Sequence, residues 1–355
     1  MTGITRDPSG ILACRVSLGI PEAAFYPGAV YLLSRWCILA RFVLFEELAL
    51  RASVLYSGSL VANAFGSMMA AGILSGMEGK QGIRGWRWLF FIEGALTITI
   101  GILSIWSLPD LPSNTRWITT GERQIAQARL AEDTGEADED LAQDSMLQGL
   151  KMALKDVKIY IFALIELCLL LGLSFLNFFP ILTATLGFST TITLLLAAPS
   201  WILVPVLCCA NALHADKTGE RFFHLTLPCG YASISLILVW VTNTVTRPPA
   251  RRATSIGLVN GISATGYLVG SFTWKAEWGP QYHQSMVTGI AAVASAIFLA
   301  FVMRSLLKNE NRKLDEDELG GLKGADQKRI EDAARLEGIT TEEAMEKKKG
   351  FRYLY

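Results

Sequence analysis

The sequence predicts an all-α polytopic membrane protein, and three observations predict it. The 355-residue chain is 51% hydrophobic and only 18% charged, where a soluble domain carries about 25% charge; its mean hydropathy is +0.36. Its 32 basic and 32 acidic side chains cancel, yet residues 109–158 hold 16 of them and residues 309–355 hold 22. What remains is a series of lean apolar stretches near the roughly 20 residues that a spanning helix needs. The balanced charge argues against nucleic acid as a partner, which calls for a basic patch. Six cysteines form no CxxC pair and three histidines are scattered, so no disulfide framework, metal site or cofactor is expected. The first ten residues are polar and contain Pro8, unlike a cleavable signal peptide.

Eight spans are legible: 11–34, 52–76 and 86–108, then 158–184, 191–213, 224–245, 256–274 and 286–307. Each is rich in Gly, Ala, Ser and Leu, as suits helices that pack closely in lipid. Trp86, Trp88 and Trp106 fall near span ends, where aromatic anchors concentrate. Buried helices of a soluble protein are the competing reading, and eight such spans in one chain weigh against it. Pro109 and Pro112 stop the third span. Thr119 and Glu122 then form a capping box for a short helix reaching Leu130. An acidic stretch (Glu136, Asp138, Glu139, Asp140) and Lys151, Lys155 and Lys158 complete the central loop. That loop and the polar tail read most simply as solvated segments.

Basic residues in short loops set orientation. Arg35, Arg41 and Arg51 lie between the first two spans and place that loop, the central loop and the loop at Asp216–Arg221 in the cytosol. Strict alternation would then put Arg247, Arg251 and Arg252 outside, where positive charge is disfavoured. Either a helix is missing or one segment does not span.

The first span carries Arg15 and Glu22. Ionisable residues inside an apolar span are costly and mark function by default. Residues 15, 19, 22 and 26 share one helical face, with Arg15 and Glu22 about 10 Å apart along it. Arg15 offers a planar fork to a carboxylate, and Glu22 can take up and release a proton. The bland alternative has Arg15 snorkelling at the span start and Glu22 answering a neighbouring cation. Tyr26 shares the Arg15 face and is as readily a packed aromatic. Asn177 and Asn260 can bind a substrate amide or carboxylate, or bridge helices. Glu93 reads as a structural partner of Arg87. Glu166, inside the fourth span, is a buried acid without assignment.

These residues carry a resemblance. Arg15 to Ser34 resembles the fourth helix of the major facilitator superfamily, and more closely that of the fungal allantoate permease and nicotinic acid transporter group among the anion:cation symporters. The agreement continues through Glu47–Arg51, Leu55–Gly58, Gly85–Gly94, Leu108–Pro112, Arg116–Thr119 and Glu122-Arg123. Phe178–Pro180, Leu186–Ser189, His214–Arg221, Trp240–Asn243, Arg247–Pro249, Arg252-Ala253 and Asn260 extend it over roughly residues 11–315. The resemblance implies proton-coupled import of a small organic anion such as allantoate or nicotinate, by a monomer in the plasma membrane. It assigns carboxylate binding to Arg15; Tyr26, Asn177 and Asn260 stand beside it as weaker candidate contacts, read from their positions and not from the resemblance. Proton coupling falls to Glu22. Asp216, Gly219 and Arg221 match the superfamily's cytosolic gating loop, which otherwise reads as a solvated turn.

The family pattern has about twelve helices in two halves. Against it, residues 1–108 read as an incomplete first half resembling helices four to six, and 109–157 as a cytosolic loop. Residues 158–308 read as a second half lacking about one helix near Cys229, and 309–355 as a cytosolic tail. Residues 37–45 read as an insertion. Two other classes compete: a non-transporting relative or membrane sensor, and a membrane enzyme. The enzyme reading lacks a nucleophile–base set or metal cluster.

Overall fold

The computed structural model describes residues 2–23, 25, 28–29, 32, 48–108, 119, 121, 146–184, 187, 189–226, 230–245, 248–322 and 353–355. The described residues are helical throughout, with no strand among them. The helices are α1 (Pro8–Ala23), α2 (Leu48–Gly76), α3 (Gly85–Ser107), α4 (Met146–Lys155), α5 (Val157–Gly172), α6 (Phe175–Ala184), α7 (Thr190–Thr218), α8 (Phe222–Thr226), α9 (Tyr231–Thr244), α10 (Pro249–Thr273) and α11 (His283–Leu322). Of the central capping box, Thr119 is described while Glu122 lies outside the described residues, as does the segment 37–45.

A helix falls on every one of the eight legible spans. Among the described residues, four stretches are long and apolar enough to cross a membrane: Ala49–Gly76, Gly85–Ser107, Val157–Phe179 and His283–Glu316. The others are shorter or more polar, for visible reasons. Helix α1 carries Pro21 within its described stretch Pro8–Ala23. Helix α7 contains Pro199 and Pro205, and α10 opens on Arg251 and Arg252 and is rich in Ser, Thr and Gly.

The outer surface fits lipid and not water. Helix α3 buries only Gly85, leaving Ile98, Ile105 and Trp106 exposed at 65%, 69% and 81%. An apolar face of that extent needs hydrocarbon around it. The interior is built on α5, α9, α10 and α11. Phe162, Trp240, Ile256, Val259, Ala296 and Met303 are all fully buried there, and Phe162 meets Trp240 edge-on at 5.3 Å.

Small residues set how closely these helices approach. A Cβ added at Gly266 would lie 2.5 Å from the Leu167 carbonyl oxygen, and one at Gly270 would lie 2.5 Å from the Ser174 Cβ. Helices α5 and α10 therefore touch backbone to backbone. On the other side of the bundle, Ala49 and Ala52 of α2 face Ala212 and Ala215 of α7.

The arginine cluster after α9 sits close to the charged ends of the other helices. Helix α9 has 14 residues, about 21 Å of rise, short of the roughly 30 Å hydrocarbon layer. Thirteen of those 14 residues are buried, so α9 lies within the bundle. Beyond it, Arg251 pairs with Asp156 at 2.6 Å, and Arg252 donates to the Val245 carbonyl at 3.1 Å. Asp156 caps α5 on the side of the central loop. Residues Tyr353–Tyr355 tie that side to the Asp216–Arg221 loop: Lys158 sits 4.8 Å over the Tyr353 ring, and the Arg221 amide donates to the Tyr355 carbonyl at 3.3 Å. The stretch 222–249 thus starts and ends on one face. The basic cluster therefore lies on the same face as the Asp216–Arg221 loop.

Candidate functional site: a helix pair, a latch and a buried seam

Three groups of side chains have the chemistry for a carrier. The first is on α1, where Arg15 and Glu22 lie two turns apart and both are exposed. The Arg15 guanidinium stands 5.5 Å over the Phe90 ring of α3. Neither residue has an ion pair among the described residues. Pro21, lacking an N–H, removes the helical bond to the Ser17 carbonyl just before Glu22. Tyr26 lies outside the described residues. Arg87 does not meet Glu93: it donates to the Thr5 carbonyl at 3.1 Å and stacks on Trp86. Residues six apart on a helix point to different faces.

The second group is the loop after α7. Gly219 adopts φ 65°, ψ 2° and ends the helix in the left-handed conformation, which glycine takes without strain. This turn brings Arg221 back onto Asp216, with Nη1 to Oδ1 at 2.9 Å and both side chains nearly fully buried. The other carboxylate oxygen of Asp216 accepts the Leu50 amide at 3.0 Å, and the Ala49 amide bonds the same group. Those amides open α2 and have no acceptor within their own helix. An acid from the second half of the chain therefore caps a helix of the first half, with its charge aligned to the helix dipole. Glu220 extends the network to Arg304 at 3.1 Å.

Burial pushes the Asp216 carboxyl up from its ordinary value, while Arg221 and the α2 amides pull it back without cancelling the shift. An acid whose value is raised in the packed state binds its proton more tightly there, so acid favours that state. The stabilisation from this group is complete below the ordinary aspartate value and falls as pH rises through the raised value. Relative to Asp216→Asn, the parent should lose thermal stability across that window, read as unfolding midpoint against pH. Parallel pH profiles for the two proteins would rule this out.

The third group is a seam where α2, α5, α7, α9 and α10 meet. Tyr231 of α9 lies 6.3 Å from the Tyr56 ring of α2 and 5.4 Å from Trp201 of α7. Its hydroxyl bonds that of Tyr267 on α10. Beyond Tyr267 is Glu166, fully enclosed and hydrogen-bonded to Ser263. Leu60, Leu170 and Leu173 pack around the group. Asn260 is half-buried on α10, and its carbonyl accepts the Ser263 hydroxyl at 3.0 Å. Asn177 is exposed on α6. No hydrogen bond or ion pair joins Arg15 or Glu22 to Asn177 or Asn260 among the described residues.

The sequence alone picked out Glu166 but not its surroundings. Ser263 and Tyr267 are separated by four residues on α10, a spacing that puts them on one face. Nothing in the sequence says that this face meets Glu166. The amides of Ala49 and Leu50 left no signal, since any residue supplies them.

Comparison with known proteins places the chain. The sequence profile of the Major Facilitator Superfamily matches residues 2–303. The major facilitator-type transporter hxnP of Emericella nidulans is 26% identical over 342 residues, covering 87% of this chain and 67% of that protein. The MFS-type transporter cnsO of Penicillium expansum is 26% identical over 359 residues, covering 88% and 67%. A putative tartrate transporter of Agrobacterium vitis is 26% identical over 331 residues, covering 85% and 70%. The chain thus spans about two thirds of the length of these curated relatives. No solved structure matches it significantly. The chain belongs to the major facilitator superfamily, and it is an integral, multi-pass membrane protein of transporter type.

Proposed function

Starting from that membership, we propose that the protein is a secondary active transporter that takes up a small organic carboxylate together with a proton. The observation that carries this reading is the pairing of Arg15 and Glu22 on one face of an apolar helix, each without an ion-pair partner among the described residues. A guanidinium there recognises a carboxylate through two parallel hydrogen bonds. An acid seven residues along can neutralise itself by taking a proton, so the loaded carrier moves without an uncompensated charge in lipid. Tyr26, Asn177 and Asn260 supply further polar contacts to the substrate. Asp216, Gly219 and Arg221 act as a cytosolic latch, closed in one access state and open in the other. Nicotinate, allantoate and, by similarity to the tartrate transporter of Agrobacterium vitis, tartrate are the substrate classes to test. The location proposed is the plasma membrane and the working unit a monomer.

The test is uptake of labelled nicotinate, allantoate and tartrate by yeast cells expressing the full chain, at acidic and neutral external pH. Uptake of at least one, stronger in acid, is the expected result. Arg15→Ala should weaken half-saturation about ten- to hundredfold, the loss of one charge-assisted contact. Glu22→Gln should still exchange substrate but no longer accumulate it against a gradient. Accumulation by Glu22→Gln equal to the parent would remove the coupling role. A second reading is a non-transporting relative or membrane sensor, favoured by α1 burying none of its described residues. Absence of uptake for all three acids by a chain that reaches the membrane would select it.

A further inference from the structure

We propose that Glu166 is a second proton-binding site, in the other half of the protein from Glu22, exchanging its proton through Tyr267 and Tyr231. The inference deepens the proton-coupled reading and rests on it only for the use made of the proton.

Geometry carries it. Glu166 lies ten residues into the membrane from Asp156, the cap of α5, about 15 Å along the helix and so half-way through a hydrocarbon layer of roughly 30 Å. It is 1% exposed. One carboxyl oxygen meets Ser263 and the other, Oε2, has no hydrogen-bond partner among the described residues. A carboxylate in that position would leave an unsatisfied charge in a water-free interior, which proteins avoid by pairing or by neutralisation.

Pairing is not available. The titratable groups on every helix packed against α5 can be named. On α10, Arg251 is held by Asp156 and Arg252 by the Val245 carbonyl, leaving Tyr267. On α9 the one titratable side chain is Tyr231. On α11, His283 is exposed at the far end, Arg304 is held by Glu220, and Lys308 sits over Tyr355; no titratable side chain occurs between His283 and Arg304. On α4, Lys151 and Lys155 are exposed. On α5 itself, Lys158 pairs with Glu310 at 2.7 Å, Tyr160 donates to the Leu154 carbonyl, and Cys168 carries no charge to offer. Among the described residues, no cation forms an ion pair with Glu166.

The Ser263 hydroxyl beside Glu166 donates to the Asn260 carbonyl at 3.0 Å. The route outward is specific. Tyr267 stands beside Glu166 and bonds Tyr231, and Tyr231 faces Tyr56 across the boundary between the two halves. When that boundary opens, the tyrosine hydroxyls connect a mid-membrane acid to water.

Infrared spectroscopy of the full chain in lipid nanodiscs tests this without any substrate. The parent is expected to show a protonated carboxylic acid band at neutral pH that loses intensity as pH rises, and that Glu166→Gln abolishes. Tyr267→Phe and Tyr231→Phe should slow the shift of that band after transfer to heavy water, while leaving its position unchanged. Ser263→Ala should move its frequency. If Glu166→Gln does not fold, Glu166→Asp keeps the question open to measurement, because its acid band must appear at a changed frequency and still titrate. No band dependent on residue 166, or one that does not titrate while the protein stays folded, overturns the proposal. So does heavy-water exchange at the parental rate in both tyrosine variants. A titrating Glu166 band in a chain that takes up none of the tested acids upholds the proton site and removes the transport reading instead.

Discussion

Arg221→Ala is expected to destabilise the packed state by about 3–5 kcal/mol, the range for removing one partner of a buried ion pair. The size follows from what is left behind. Asp216 is 5% exposed, so without Arg221 its charge would rest on the Leu50 and Ala49 amides alone. Those amides belong to α2, and α2 and α7 meet along a seam of alanines that any loosening would open. Lost compensation at Asp216 therefore acts on the contact between the two halves and not only on one loop. The double variant Arg221→Ala with Asp216→Asn separates the two contributions, because asparagine removes the charge while still accepting a hydrogen bond from α2. It should recover most of the lost stability in thermal unfolding. In the single variant, a cysteine placed at Ala212 should become accessible to a membrane-impermeant thiol reagent. A single variant as stable and as inaccessible as the parent would mean that the pair holds nothing closed.

How much of this was legible beforehand depends on where each signal resides. The helices were legible because hydropathy is a property of a window of sequence, and a helix falls on each of the eight stretches; among the described residues four of them are long and apolar enough to cross a membrane. The orientation conflict at Arg247–Arg252 was legible as well, since charge and span count can be compared without coordinates. Its answer was not legible. Whether 231–244 crosses depends on helix length against bilayer thickness and on which neighbours enclose it, and Trp240 is enclosed by Phe162 of α5 and by the Leu354 carbonyl, which accepts its indole N–H at 2.8 Å. Nothing in Tyr231–Thr244 announces a partner 114 positions away.

The same division holds at the site. Asp216 and Arg221, five residues apart around Gly219, were readable as a turn with opposite charges. The cap they place on α2 was not, because its donors are backbone amides 166 residues distant from the acceptor. Glu22 and Glu166 show the contrast most plainly. Both are acids in apolar spans and look alike as sequence, yet Glu22 is exposed while Glu166 is enclosed. Their difference is made by tertiary packing alone.

That packing rests on glycine, and Gly266→Ala tests it. The residue faces α5 so closely that a new methyl would lie 2.5 Å from the Leu167 carbonyl oxygen and 3.2 Å from the Leu170 Cβ. A carbonyl fixed in a helical hydrogen bond cannot rotate aside as a side chain would, so α10 must shift. The expected loss is about 1–3 kcal/mol for an overpacked interior, before any gain from the better helix propensity of alanine, about 1 kcal/mol. The methyl also has a local consequence. Gly266 lies between Ser263 and Tyr267, the two residues of α10 that reach Glu166. Moving α10 outward lengthens the Glu166–Ser263 bond and breaks the link to Tyr231 before the helices separate. The effect on the Glu166 acid band should therefore exceed that of an alanine at Gly257, which meets nothing within 4 Å and sits on the same helix. Equal stability and identical band positions for the two variants would show that α5 and α10 are not held together at Gly266.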